Sequence, residues 1–209
     1  MMVNNSTQTF LKKLLKFLDW LNFVLLTLSV VFIVLWFTVG GLRKVDGMSM
    51  YPYLHNKDVV VLYKLAYKDK LPERGDVIVF ILKDGGRFVK RVIALPGETV
   101  KVDYGKVFVN GAQLNEGAYL QDTVYTSGGR FLYEGVTYTV PKDHIFVMGD
   151  NRGYSTDSRD LGPIPLDRVE GKVLMIVYPF DRAKKIENPF KGTQQFVGLL
   201  HIFDFYPVQ

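Results

Sequence analysis

The 209-residue chain contains no cysteine. Disulfides, thiol nucleophiles and thiolate metal sites are therefore excluded. Histidine is scarce as well: His55, His144 and His201 stand far apart, a poor basis for a zinc site. No cofactor is expected. Beyond position 43 there is no long amphipathic helical pattern, no internal repeat and no low-complexity segment. The charge balance is basic, net +5 with a pI of about 9.2. Lys and Arg form no dense patch, however, and no nucleic-acid motif accompanies them, so no nucleic-acid partner is expected. An anionic membrane surface suits the charge better.

A mean hydropathy of +0.08 hides an uneven distribution. From Trp20 to Leu42 there is no charged residue. At about 1.5 Å per residue, a helix of that length crosses a hydrocarbon core of about 30 Å. Lys12, Lys13 and Lys16 precede the run, and Trp20 and Trp36 lie toward its ends, where indoles favour the interface. A cleaved secretory signal shares the positive start and apolar run, but its apolar part is typically about 7–15 residues. Val39 and Gly41 make a weak cleavage site. A retained anchor at 20–42 is the better reading, with 1–19 cytoplasmic. The lysine and arginine difference between the flanks is slight, so an outer C-terminal domain is only a modest preference.

After the anchor, strand-like runs succeed one another at 59–62, 77–82, 88–94, 100–102, 106–109, 138–140, 145–148 and 172–177. They are rich in Val, Ile, Tyr and Phe and are punctuated by turn residues. Asn110-Gly111 is a strong hairpin signal. The expected architecture is mostly β: one antiparallel β catalytic domain over 43–185, with a hairpin or cap insertion at about 103–140. The tail at 186–209 loses the strand rhythm. Its aromatics (Phe196, Phe203, Phe205, Tyr206) argue against full disorder, and no role is assigned to it.

Four segments stand out: Val45-Asp46-Gly47-Met48-Ser49-Met50-Tyr51-Pro52, Arg74-Gly75-Asp76-Val77, Phe88-Val89-Lys90-Arg91-Val92-Ile93, and Gly149-Asp150-Asn151-Arg152-Gly153-Tyr154-Ser155-Thr156-Asp157-Ser158-Arg159. Each alone has a bland explanation. Most serines between a glycine and a proline are turn residues. Most lysines in apolar strands extend their ammonium to solvent. An Asx-rich loop is commonplace.

Together, in this order and behind a membrane anchor, the four segments resemble those of the bacterial type I signal peptidases. The resemblance covers roughly Leu11 to Phe180 and omits the tail. It implies that Ser49 is the nucleophile and Lys90 the general base. It implies that Ser155 hydrogen-bonds and orients the lysine, that Asp157 and Arg159 form a supporting ion pair, and that Asp150 and Asn151 belong to the loop shaping the site. Eukaryotic and archaeal relatives carry histidine at the position of Lys90. The implied partners are preproteins with signal peptides, cleaved after a small-x-small site, and the lipid bilayer.

The chemistry supports those roles independently. A serine hydroxyl needs an adjacent base. Lysine has a reference pKa of about 10.4, which burial lowers by disfavouring the charged form. Strand alternation puts Phe88, Lys90 and Val92 on one face, apolar apart from the lysine. The same alternation sends Arg91 to the opposite face, where it is expected to remain a charged surface group. The Ser49 N–H is the expected oxyanion donor. Some relatives add a serine hydroxyl two residues earlier; here Gly47 leaves only backbone. Tyr53, where threonine is common, and Gly153-Tyr154, where Asp-Asn is common, are further departures. Ser49 follows Arg43 by six residues, a reach of at most about 20 Å, so the site is expected near the bilayer surface.

Two other classes share parts of this pattern. Signal-peptidase-like pilus assembly factors lack the dyad, whereas Ser49 and Lys90 are both present. Self-cleaving Ser–Lys repressors carry a DNA-binding segment, which is absent here. A membrane-anchored β-domain without activity leaves the joint motif unexplained.

Overall fold

The computed structural model describes residues 5–191 and 195–197. The chain divides into two units, 1–41 and 42–209. The first is an apolar helix, α1 (Asn5–Val39), of which Gln8–Val34 is long and apolar enough to cross a membrane. The helix starts well before the charge-free run and ends short of its expected limit at Leu42. Gly40-Gly41 follow it, and glycine is a poor helix former. Residues 40–42 instead open a strand.

The second unit is β-rich. β1 (Gly40–Lys44) runs across the boundary into it, and its further strands are β2 (Val59–Tyr63), β3 (Val77–Ile81), β4 (Arg87–Ala94), β5 (Thr99–Asp103), β6 (Lys106–Val109), β7 (Ala112–Gln113), β8 (Thr137–Thr139), β9 (His144–Met148), β10 (Ile164–Pro165), β11 (Val169–Tyr178) and β12 (Lys184–Lys185). One short helix, α2 (Ser158–Leu161), sits between β9 and β10.

The larger sheet runs β1-β2-β11-β3-β4-β9-β10, with β12 also on β11. Its core strands are nearly continuous apolar runs: Ile78, Phe80, Val92, Ile93, Ile145 and Val147 are all fully buried. The smaller sheet runs β7-β6-β5-β8. It corresponds to the expected insertion but begins earlier, at Thr99, because β5 is its central strand. Strict alternation of buried Val100 and Val102 with half-buried neighbours marks a sheet with one face on the core. Asn110 and Gly111 both have positive φ, as the expected two-residue hairpin requires, and so do Tyr104 and Gly105 between β5 and β6.

Part of the tail packs on the domain. Ile186 and Phe190 are buried, and Phe196 bridges Leu114. Asn188 Nδ2 donates to the Arg74 carbonyl and to Asp76. Phe203, Phe205, Tyr206 and His201 lie outside the described residues.

Candidate active site

β3 and β4 pair antiparallel over their full shared length, with Ile78 opposite Lys90. On its other side β4 pairs with β9 only from Arg91 onward. Residues 87–90 therefore keep one open strand edge among the described residues. Lys90 sits where that open edge ends. Its side chain is 2% exposed and passes over the Phe88 ring, with Nζ 5.2 Å from the ring centre.

Lys90 Nζ donates to Ser49 Oγ at 2.7 Å and to the Val89 carbonyl at 3.0 Å. Neither partner is a charge. Burial is the leading influence on the ammonium and pushes its pKa down from 10.5 to about 8. Asp157 and Asp150 pull the other way and Arg159 adds to the fall, but burial prevails.

Ser49 occupies a turn after β1. Asn151 ties the turn down: its N–H donates to the Ser49 carbonyl at 3.0 Å and its Nδ2 to the Met48 carbonyl at 3.0 Å. Gly47 has φ +97°, a conformation that favours glycine, and its N–H donates to Asn56 Oδ1 at 3.1 Å. That N–H is thus committed within the turn. The Ser49 N–H has no partner among the described residues and remains available to a ligand.

Gly149, at the end of β9, comes close to both site segments. A Cβ there would lie 2.2 Å from Ser155 Oγ and 2.4 Å from the Ser49 carbonyl oxygen. Only glycine lets the 149–159 loop approach this closely. The loop is then held by Asp157, which is fully buried. Asp157 accepts from the Gly149 N–H at 2.9 Å, the Ser155 hydroxyl at 2.7 Å and the Arg159 guanidinium at 2.8 and 2.9 Å. Burial works against its charge, yet the Arg159, Gly149 and Ser155 bonds outweigh it and hold the carboxyl below its ordinary range. The Asp157–Arg159 ion pair expected from sequence is present.

Two expectations are corrected. Ser155 does not hydrogen-bond Lys90; its hydroxyl is turned to the Asp157 carboxylate, a stronger, charged acceptor. Arg91 is no surface group. It is fully buried, donates to both Asp150 oxygens at 2.7 and 2.8 Å and to the Gly75 carbonyl at 2.9 Å, and stacks between Tyr119 and Tyr53. Alternation gave the correct face but not its cover, because Tyr119 and Asp150 reach it from distant segments. Asn151, Gly149 and the Gly47–Asn56 bond are the parts whose geometry the sequence did not reveal.

A cavity of about 500 Å³ opens on Ser49 and Lys90. Arg43 to Gly47 form one wall and Arg87 to Val89 the other; Val60, Val79, Tyr154 and Thr156 complete it.

Comparison with known proteins identifies the family of the chain. The family described as signal peptidase, peptidase S26, matches residues 17–178. Signal peptidase I V of Bacillus subtilis (strain 168) is 38% identical, covering 62% of this chain and 81% of that protein. Signal peptidase IB of Staphylococcus aureus (strain N315) is 31% identical, covering 82% of this chain and 95% of that protein. Probable signal peptidase I-2 of Synechocystis sp. is 33% identical over 69% of this chain, which spans 66% of that protein's length. The chain belongs to the signal peptidase family, peptidase S26.

Proposed function

We propose that Ser49 and Lys90 carry the peptide hydrolysis by which this serine endopeptidase removes signal peptides from preproteins. The 2.7 Å contact between Lys90 Nζ and Ser49 Oγ, inside a cavity where the lysine lacks a charged partner, carries the reading. Neutral Lys90 takes the Ser49 hydroxyl proton as Oγ bonds to the scissile carbonyl carbon. The Ser49 N–H faces the oxygen that gains charge. Lys90, now an ammonium, returns the proton to the leaving amine as the C–N bond breaks. Water then attacks the acyl carbon as Lys90 takes its proton, and the ester C–O bond breaks as Lys90 returns that proton to Ser49 Oγ.

The open edge of β4 at 87–90 offers a substrate the backbone groups of a missing strand. In an extended chain, the first and third residues before the scissile bond point the same way. Both then meet the wall of Val60, Val79 and Val89, which favours small side chains. Asn151, Asp157 and Arg159 act as positioning residues through the Ser49 turn and the 149–159 loop, and Ser155 and Asp150 belong to the same frame. α1 supplies a helix long and apolar enough to serve as a membrane anchor. On this reading the N-terminus is cytoplasmic and the β domain lies on the outer face, where exported preproteins emerge.

The test is cleavage of a preprotein by the purified chain. Hydrolysis after a small-x-small site is expected, and Ser49→Ala and Lys90→Ala should each abolish it. Undiminished activity in either variant overturns the assignment. Running general secretory and pilin-type precursors side by side distinguishes a broad role from a restricted one.

A further inference from the structure

The family match ends at residue 178, and no catalytic step above uses the chain beyond it. We infer that residues 187–190 form a clasp that positions the catalytic pair, with Asn188 as its positioning residue on the side of the base and Tyr53 as its partner on the side of the nucleophile. The inference rests on the assignment of Ser49 and Lys90 above.

On one side the clasp grips the turn that holds β4. Gly75 has φ +87°, and a Cβ there would lie 2.6 Å from Asn188 Oδ1 and 2.7 Å from the Phe190 ring. Asn188 Nδ2 donates to the Arg74 carbonyl at 2.8 Å and to Asp76 Oδ1 at 2.9 Å, so one amide spans the turn on both sides of Gly75. Asn188 Oδ1 accepts from the Phe190 N–H at 2.9 Å, which fixes the direction of that amide. The turn passes the hold to β4. The Gly75 N–H donates to the Val92 carbonyl at 2.8 Å, and the Val92 N–H donates to the Asp76 carbonyl at 2.9 Å. The Gly75 carbonyl accepts from Arg91. Arg91 and Val92 directly follow Lys90.

On the other side the clasp holds the nucleophile segment. Tyr53, four residues after Ser49, donates its hydroxyl to the Glu187 carbonyl at 3.1 Å. Phe190 meets Tyr119 edge-on, with ring centres 5.9 Å apart. Tyr53 and Tyr119 are the two rings that sandwich the Arg91 guanidinium. Three neighbours of Arg91 (Gly75, Tyr53 and Tyr119) are thus gripped within four consecutive tail residues. Asp76 also accepts from the Tyr67 hydroxyl at 2.9 Å and pairs with Lys172. The turn therefore keeps other anchors when Asn188 is lost, and it shifts rather than unfolds.

The experiment measures kcat, KM and thermal melting of full-length variants on one preprotein. Asn188→Ala removes the amide, and Tyr53→Phe removes only the hydroxyl. Each is expected to lower kcat roughly tenfold with KM within twofold, since a displacement of a fraction of an ångström at the pair slows chemistry without weakening substrate binding. Val107→Ala is the comparison. It trims a fully buried side chain on β6 of the smaller sheet, which makes no contact with the clasp described above. It should melt at least as early as Asn188→Ala, yet keep kcat within twofold when assayed well below melting. Full kcat in either clasp variant overturns the inference, as does an equal loss of kcat in Val107→Ala. Both results leave the dyad intact as long as Ser49→Ala abolishes cleavage. Retained cleavage in Ser49→Ala overturns the dyad and, with it, this inference.

Discussion

Lys90 and Arg91 are consecutive on β4 and both are buried, yet the first ends on a neutral hydroxyl and the second on a carboxylate. That difference decides their chemistry. Arg91 keeps its charge because Asp150 matches it bidentately. Lys90 has no such match, so burial weakens its hold on the proton. In the proposed mechanism, one strand thus presents a base on one face and a structural cation on the other.

Replacing the proposed base without opening a cavity separates catalysis from folding. Lys90→Met keeps an unbranched side chain of similar length and removes the buried amine. A folded-state pKa of about 8 against 10.5 unfolded means the unfolded chain binds this proton more tightly. The penalty is full below pH 8 and fades as pH rises toward 10.5. At pH 7 it amounts to about 3 kcal/mol. Lys90→Met is therefore expected to abolish cleavage while melting no lower than the unaltered chain at pH 7. The stability gain should shrink by pH 10. A variant that is both inactive and markedly less stable would assign the lysine a structural role.

The pH profile reports the same group. With a pKa of about 8, roughly one tenth of Lys90 is neutral at pH 7 and nine tenths at pH 9. Cleavage should rise about tenfold over that interval. Asp157 raises the lysine's proton affinity, so Asp157→Asn should move the inflection to lower pH while reducing the maximal rate. A rate that falls steadily from pH 6 to pH 9 in a folded protein would exclude a lysine base. An inflection that moves upward in the variant would refute the electrostatic coupling.

Gly149 tests how closely the loop must approach. A methyl group there would overlap Ser155 Oγ and the Ser49 carbonyl. Either the turn or the loop has to shift, and displacement of about 1 Å can cost 100-fold in rate. Gly149→Ala is expected to lose at least that factor in kcat, with about 1–3 kcal/mol of stability lost to overpacking. Retention of full activity would mean that the nucleophile turn tolerates the shift.

The reach of sequence reading follows the range of the interactions. Strands such as β3, β4 and β9 were legible because their own residues are Val, Ile and Phe. The Asn110-Gly111 turn was legible because both positions need positive φ. β10 and β12 were not, being two residues each and defined only by their partners. In the candidate site, Ser49 and Lys90 were singled out by motif order, and the fold brings their side chains into contact. The burial of Arg91 was missed because Tyr119 and Asp150 come to it from far along the chain. The bond of Ser155 to Asp157 depends on a rotamer that no spacing encodes.

Arg91 and Asp150 form the most completely buried ion pair in the described residues, each side chain 0% exposed. Removing one partner leaves the other charge stranded. Arg91→Met is expected to destabilise the domain by about 3–5 kcal/mol, and Asp150→Leu similarly. The double variant Arg91→Met/Asp150→Leu should recover much of that loss, since an apolar pair of similar volume strands no charge. Its activity should still fall, because Asp150 adjoins Asn151, which holds the Met48 and Ser49 carbonyls. Thermal melting of the four chains gives the coupling, and cleavage of one precursor gives the catalytic readout. Additive losses in the double variant would show that Tyr53, Tyr119 and Gly75 hold Arg91 as strongly as its carboxylate partner does.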